Sequence, residues 1–273
     1  MSVGRIKTLS IAILLFINVF FLAVIIRDTV ADARSERQAM ADVCAILSAG
    51  GISLDPDNIR GAGPIKMMRT ARSLESEAVI ARAVLGDAEV TEGAIYRYES
   101  EGRGTAEFSS AGNFEIQLDA GTFTDSGNPV KAVKNLLRSM KIDTSEIEMT
   151  EDSTVVAVCS YSGVSIFNCT IEFLFNGENL ETITGKNVTG IEAADNARSI
   201  STPGTVLLGF LASVKKGDAE CTRISYVEAG YQHHAAGSFG EGFISPAWLI
   251  STDTGRYIVD DATGEILSRQ TGD

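Results

Sequence analysis

Residues 9–26 (LSIAILLFINVFFLAVII) form a run of 18 positions without a charge, and this run constrains the chain more than any other feature. As an α-helix rising about 1.5 Å per residue it would reach ~27 Å, close to the thickness of bilayer hydrocarbon. The expectation is a transmembrane helix at 9–26. Arg5 and Lys7 precede the run with no acid, whereas Asp28 and Asp32 follow Arg27. The positive-inside tendency then makes residues 1–8 a cytoplasmic tail and everything after the run extracytoplasmic: a single-pass cell-membrane protein with a signal anchor. The competing reading is a cleaved signal peptide, since Ala31-Asp32-Ala33 has the small-x-small form that signal peptidase accepts. The length of the run and the charged pair Arg27-Asp28 directly behind it favour the anchor. Asn18 is either tolerated within the run or hydrogen-bonded to another helix. Together with Phe16, Phe20 and Phe21 it forms the candidate partner-binding surface in the membrane.

Of the 273 residues, 44% are apolar and 22% charged, with a net charge of −13, which is ample for a folded core and excludes disorder throughout. The 36 acidic and 23 basic residues, with no basic cluster among them, argue against a nucleic-acid partner. Four cysteines stand at 44, 159, 169 and 221. Cys159 and Cys169 flank a short hairpin turn, where facing strand positions would allow a disulfide; the alternative is four buried small side chains. No C-x-x-C pair occurs, so zinc and thioredoxin-like chemistry have little support.

Beyond the run, Val30, Ala33, Met40, Cys44 and Leu47 recur at steps of three and four, with Arg37 interrupting the stripe, and Gly50-Gly51 ends the pattern; a juxtamembrane helix over 27–51 is expected. The same order of elements then appears three times. Helices at Leu74 to Leu85, after Asn128-Pro129, and from Thr202-Pro203 to Gly217 are each followed by short alternating segments, with Asn128 as cap and Lys215-Lys216 suited to the helix dipole. Asn176-Gly177 predicts a type I′ hairpin turn. The fold class expected is α+β: an N-terminal transmembrane helix followed by repeated helix-plus-antiparallel-meander modules, with boundaries at 52–126, 127–200 and 201–273. The stretch from Lys186 to Ser201 reads as the most open connection.

The chain's last segment runs Ile244-Ser245-Pro246-Ala247-Trp248-Leu249-Ile250, then Thr252-Asp253-Thr254-Gly255-Arg256-Tyr257-Ile258-Val259, and closes on Ala262-Thr263-Gly264-Glu265. This is a terminal hairpin with Trp248, Ile250, Tyr257 and Val259 on one face and glycine-containing turns. The pattern, with Pro246, Trp248, Tyr257 and Gly264 as its signature, resembles the closing hairpin of PepSY-like domains. At the other end, Lys7 with Ile17-Asn18-Val19-Phe20-Phe21, and Gly51-Ile52-Ser53-Leu54 after the stalk, resemble the anchor and opening of the YycH/YycI proteins. That resemblance implies an accessory regulator of the WalK/WalR two-component system. Its partners would be a sensor histidine kinase and a sister YycH-like regulator, as homo- or hetero-oligomers, in cell-wall homeostasis. Trp248 and Tyr257 are expected in the core rather than on a ligand.

Chemistry-bearing motifs are sparse. Ser213-Val214-Lys215-Lys216 has the Ser-x-x-Lys spacing of penicillin-interacting enzymes but lacks their Lys-Thr-Gly strand. No Gly-x-Ser-x-Gly, Walker A loop or His-Glu-x-x-His is present. His233-His234 would need an acid such as Glu228 or Glu241 to hold a metal, and read instead as exposed strand or loop residues. Asp55 and Asp57 open like a calcium loop whose later ligands are misplaced. The expectation is therefore no enzyme, no cofactor and no metal. The function expected is a membrane-anchored extracytoplasmic regulator of a sensor kinase. The alternative is a PepSY-type module that restrains an extracytoplasmic or membrane peptidase.

Overall fold

The structure, a computed structural model, describes residues 35–61, 65–93, 95–109, 112–124, 127–150, 152–194, 200–236 and 241–270. Helix α1 covers residues 35–49. After it come β1 (Ser53–Leu54), a 3-10 turn (Pro56–Asn58), β2 (Ile59–Arg60), β3 (Met68–Thr70) and α2 (Leu74–Leu85). Strands β4 (Glu89–Thr91), β5 (Tyr96–Ser100), β6 (Gly104–Phe108) and β7 (Asn113–Leu118) lead to α3 (Pro129–Ser139). Next are β8 (Thr144–Met149), β9 (Thr154–Tyr161), β10 (Val164–Asn176), β11 (Asn179–Lys186) and β12 (Glu192–Ala193). Helix α4 (Pro203–Lys216) precedes β13 (Arg223–Ala236), β14 (Glu241–Thr252), β15 (Gly255–Asp260) and β16 (Ile266–Gln270).

Local chemistry places the helices. Ser73 and Asn128 cap α2 and α3 by accepting from the backbone N–H of Ser76 and Lys131. Proline opens α3 and α4, where a missing N–H is harmless. Gly217, at φ +88°, closes α4 behind two lysines. The Asn176-Gly177 turn differs from the type expected: Asn176 pairs with Asn179, so Gly177 and Glu178 are central. Only Gly177 carries positive φ, at +62°, which fits a II′ rather than a I′ turn.

All sixteen strands belong to one mixed sheet, and this overturns the expected series of separate helix-plus-meander modules. One half is antiparallel, in the order β8-β9-β10-β11-β7-β6-β5-β4. In the other, β13 pairs with β14, while β1 and β2 join β13 in parallel. β14 carries two partners along one side, β3 at 242–244 and β15 at 247–252. The halves are joined because β10 is 13 residues long and serves both, pairing Ile166 with Tyr231 of β13. Autonomous modules would require each meander to end within itself; β10 does not.

Among the described residues no helix is long and apolar enough to cross a membrane. The 14-residue α4 would reach only ~21 Å. The single-pass architecture and the cell-membrane localisation expected from the sequence therefore find no support in the described part of the structure. The run 9–26, with Phe16, Asn18, Phe20 and Phe21, and the Ala31-x-Ala33 motif lie outside the described residues.

Helices α2 and α3 lie on one face of the first half-sheet, where Ile80, Leu85, Val133 and Leu137 join Ala106, Ile116, Ile171 and Phe173 in the core. In the second half, Val206, Leu207 and Phe210 of α4 and Leu47 of α1 join Val227, Ile250, Trp248 and Tyr257, with the Phe210 and Tyr257 rings 5.3 Å apart. The opposite face of β13–β15 holds a smaller cluster of Phe167, Ala247, Leu249 and Ile258. Phe167 reaches it from the crossover of β10 by lying over Gly230, whose missing Cβ would stand 2.4 Å from the ring. Gly230→Ala should therefore destabilise the protein by about 1–3 kcal/mol through overpacking. Adding Phe167→Ala should recover part of the lost urea midpoint; strictly additive losses would show that the two sites do not meet.

Candidate functional site

Two features stand where the half-sheets meet, one enclosed and one open. The enclosed feature is built around His233 on β13. The Asn168 side chain, from the crossover of β10, brackets that residue's backbone. Its Oδ1 accepts from His233 N–H and its Nδ2 donates to His233 C=O, both at 2.8 Å. The carboxamide thus continues the ladder that Ile166 begins. The imidazole is 8% exposed, with Nε2 3.4 Å from Thr70 Oγ1, and Gly242 leaves it room, since a Cβ there would lie 3.0 Å from Nε2. Nδ1 is buried and has no hydrogen-bond partner among the described residues. Burial pushes the imidazole down to about 4, with the positive charge of Lys186 acting in the same direction.

His233 lines a cavity of about 30 Å³, shared with Thr70, Arg72, Glu77, Thr189 and Glu241. Its floor is an ion pair. Arg72 Nε and Nη2 donate to Glu77 Oε1 and Oε2 at 2.6 and 2.9 Å, and Nη2 also donates to Phe108 C=O. The guanidinium lies 4.7 Å from the Tyr96 ring centroid, and the hydrogen bond to Glu77 raises its pKa. Thr70 with His233 is a hydroxyl–imidazole pair, and among the described residues no carboxylate hydrogen-bonds Nδ1. The cavity is large enough for only one or two waters. This arrangement ties β3, β13 and the crossover together.

The open feature is a groove of about 490 Å³ on the other face of the first half-sheet, lined by Glu107, Glu115, Asn168, Thr170, Thr184 and Lys186. Strand alternation aims these side chains away from α2 and α3. Register sets them in a row, Arg97–Glu107–Glu115–Thr184–Glu172–Val156–Glu148 across six strand boundaries. Arg97 donates to Glu107 at 3.2 Å. Glu107 and Glu115 face each other across β6 and β7, a like-charge pair that costs stability. Lys186 stands at the groove's inner end and has no ion-pair partner among the described residues.

The structure disperses the other residues singled out in the sequence. His233 and His234 are successive strand residues and point to opposite faces, so they cannot share a metal. His234 is half-buried, 2.9 Å from Ser245 Oγ through Nε2 and stacked on Phe243. Both therefore depart from the expectation of exposed residues. Among the described residues no group of three or more potential metal ligands occurs. Ser213 is turned into the core while Lys216 is exposed. Asp55 caps the 3-10 turn by accepting from Asp57 N–H.

Trp248 and Tyr257 are buried, and Trp248 Nε1 donates to Asp261, whose carboxylate also accepts from Ser201 N–H. Pro246 falls between the β3 and β15 pairings of β14, where a missing N–H costs least. Gly264, at φ +71°, lets its turn approach Gly209 of α4, to which a Cβ would come within 3.2 Å. Cys159 and Cys169 are buried free thiols.

Sequence reasoning missed Asn168, Thr70 and the Arg72–Glu77 pair. The signals available were a polar residue inside the apolar strand Ser165 to Phe175 and the strand-interior glycines 230 and 242, which mark close approach. No sequence profile of a known protein family matches the chain, and no curated protein matches it significantly.

His233 also supplies a pH test. Its folded-state value lies below the 6.5 of an unfolded histidine, so below pH 6.5 the unfolded chain binds a proton that the folded chain refuses. Stability should be unaffected by this group above that pH and should fall as pH drops from 6.5 towards 4. His233→Phe, which cannot take the proton, should show a flatter stability profile across that window by chemical denaturation. Parallel profiles would refute the assignment.

Proposed function

We propose that this chain is a non-catalytic regulatory protein that acts by binding another protein through the groove and surrounding face of its first half-sheet. The partner is a sensor histidine kinase, in line with the resemblance of the terminal hairpin to PepSY-like domains and of the chain's opening to the YycH/YycI proteins. Binding would regulate the kinase by favouring one of its conformations over another.

One observation carries the reading: an eight-stranded antiparallel surface is packed by α2 and α3 on one side, while no described element covers the other. On that side Glu99, Glu115, Glu146, Glu148 and Glu172 are exposed. A sheet face that serves only solubility has no need to hold Glu107 opposite Glu115 in a concave groove. Held acidic charge instead suits a basic partner surface, raising the association rate and imposing salt dependence.

A photo-crosslinker introduced at Thr184 or Glu172 in living cells should capture a sensor kinase, while one at exposed Lys134, on the helical side, should not. Capture from Lys134 alone, or of no kinase from the sheet face, would reject this docking surface; capture of a peptidase there would favour the peptidase-restraining alternative. The double change Glu107→Lys/Glu115→Lys should weaken kinase binding roughly tenfold, about 1.4 kcal/mol, and reduce its salt dependence.

A further inference from the structure

Val158 of β9 faces Thr170 of β10. Extended by one step into the bulge, the same antiparallel register would bring Cys159 opposite Cys169, both on the buried face. Beyond that step the ladder breaks: Ser160 pairs with Ser165, so Ile166 to Cys169 bulge against Cys159 alone while Ile166 turns to β13. Both cysteines are buried, at 2% and 0% exposure, in the same core cluster. The Cys159 thiol donates to Lys186 C=O at 3.5 Å. Burial raises the Cys159 pKa, and Cys169 nearby raises it further. Facing residues of an antiparallel pair have Cα atoms about 4.5–5.5 Å apart, inside the range of roughly 4.4–6.8 Å that a disulfide spans. Cys44 lies in α1 and Cys221 just before β13, and neither belongs to this ladder.

We propose that Cys159 and Cys169 form a disulfide during folding, and that this bond staples β9 to the crossover of β10, the segment that joins the two half-sheets. The two thiols give up two protons and two electrons as the S–S bond forms. The electron acceptor is a small-molecule or protein disulfide, such as oxidised glutathione. A mixed disulfide forms first at one cysteine and is displaced by the other, and the acceptor leaves as two thiols.

The fold dictates the timing. Burial pushes the Cys169 thiol up to about 12 and Cys159 higher still, so neither supplies the thiolate that exchange requires once the core has closed. The bond therefore forms in the β9–β10 hairpin before β10 docks on β13. The same burial then shields it from reductants, so the folded protein keeps whichever redox state it folded in.

The test is to unfold the full-length chain and refold it either in a glutathione redox buffer or in excess reductant. Each product is then acid-quenched, alkylated and mapped by mass spectrometry of its peptides. Oxidative refolding should give a linked peptide pair carrying residues 159 and 169, with Cys44 and Cys221 alkylated. The thermal midpoint should rise by about 5–10 °C over the reduced form, as closure of a short loop implies. Protein folded reduced should resist alkylation at both sites until it is unfolded.

The variant Cys44→Ser/Cys221→Ser keeps only the facing pair and should form the same bond. Two alkylatable thiols in that variant after oxidative refolding, or preferential bonding of wild-type 159 or 169 to Cys44 or Cys221, would overturn the pairing. A lower midpoint in the oxidised form would overturn its role as a staple.

Discussion

Each backbone N–H or C=O left unpaired in a protein interior costs roughly 1–3 kcal/mol, and β10 meets that demand by changing partners along its length. From Thr170 onward it sits between β9 and β11. At Ile166 it reaches β13, and at Asn168 a side chain takes over the pairing by bonding both backbone groups of His233. The rest of the molecule depends on this exchange. It makes one sheet from two antiparallel halves, places Phe167 over Gly230 on the far face, and sets His233 into the cavity beside Thr70.

The polar groups at the junction are almost all satisfied, which is how a buried seam between two sheets avoids becoming a weak plane. Arg72 and Glu77 use a two-pronged pairing with a third bond to Phe108 C=O. In the second half, Asp261 serves both Trp248 and Ser201, tying the terminal hairpin to the segment that leads into α4. Removing one member of such a set would strand the others in low dielectric, so these groups fix which surfaces meet more than they add net stability. His233 Nδ1 is an exception among the described residues: burial keeps this imidazole neutral, with Nε2 held 3.4 Å from Thr70 Oγ1.

The open face has the opposite character. Its helices lie entirely on the other side, so the outward positions of the first half-sheet remain in water and carry alternating polar residues, as an antiparallel sheet with one wet face should. The distribution of sign is the informative part. Arg97 is spent on Glu107 and Glu99, the remaining row is acidic, and Lys186 is set apart at the groove's inner end.

Local order was legible along the chain because it depends on neighbours in sequence. The α2 bounds, the Asn128 cap, the proline starts, the Gly217 stop and the alternation of the longer strands follow from capping, glycine conformation and side-chain period. The pairing of Trp248 with Val259 and of Ile250 with Tyr257 follows from the same period. Short strands β1, β2, β3, β4, β8, β12 and β16 were not legible, since two to six residues carry too little pattern and exist only because another strand completes their hydrogen bonds. The same limit applies to sheet continuity. Alternation says which residues share a face, but not that β10 outruns its hairpin to meet β13, and that difference separates a chain of modules from a single mixed sheet. The sequence by itself determined the elements and their inward faces. Only the tertiary structure decided how the halves join, where the paired charges are buried and which face stays open, because those outcomes rest on contacts between elements distant in sequence, such as the bonds of Asn168 to His233 sixty-five positions away.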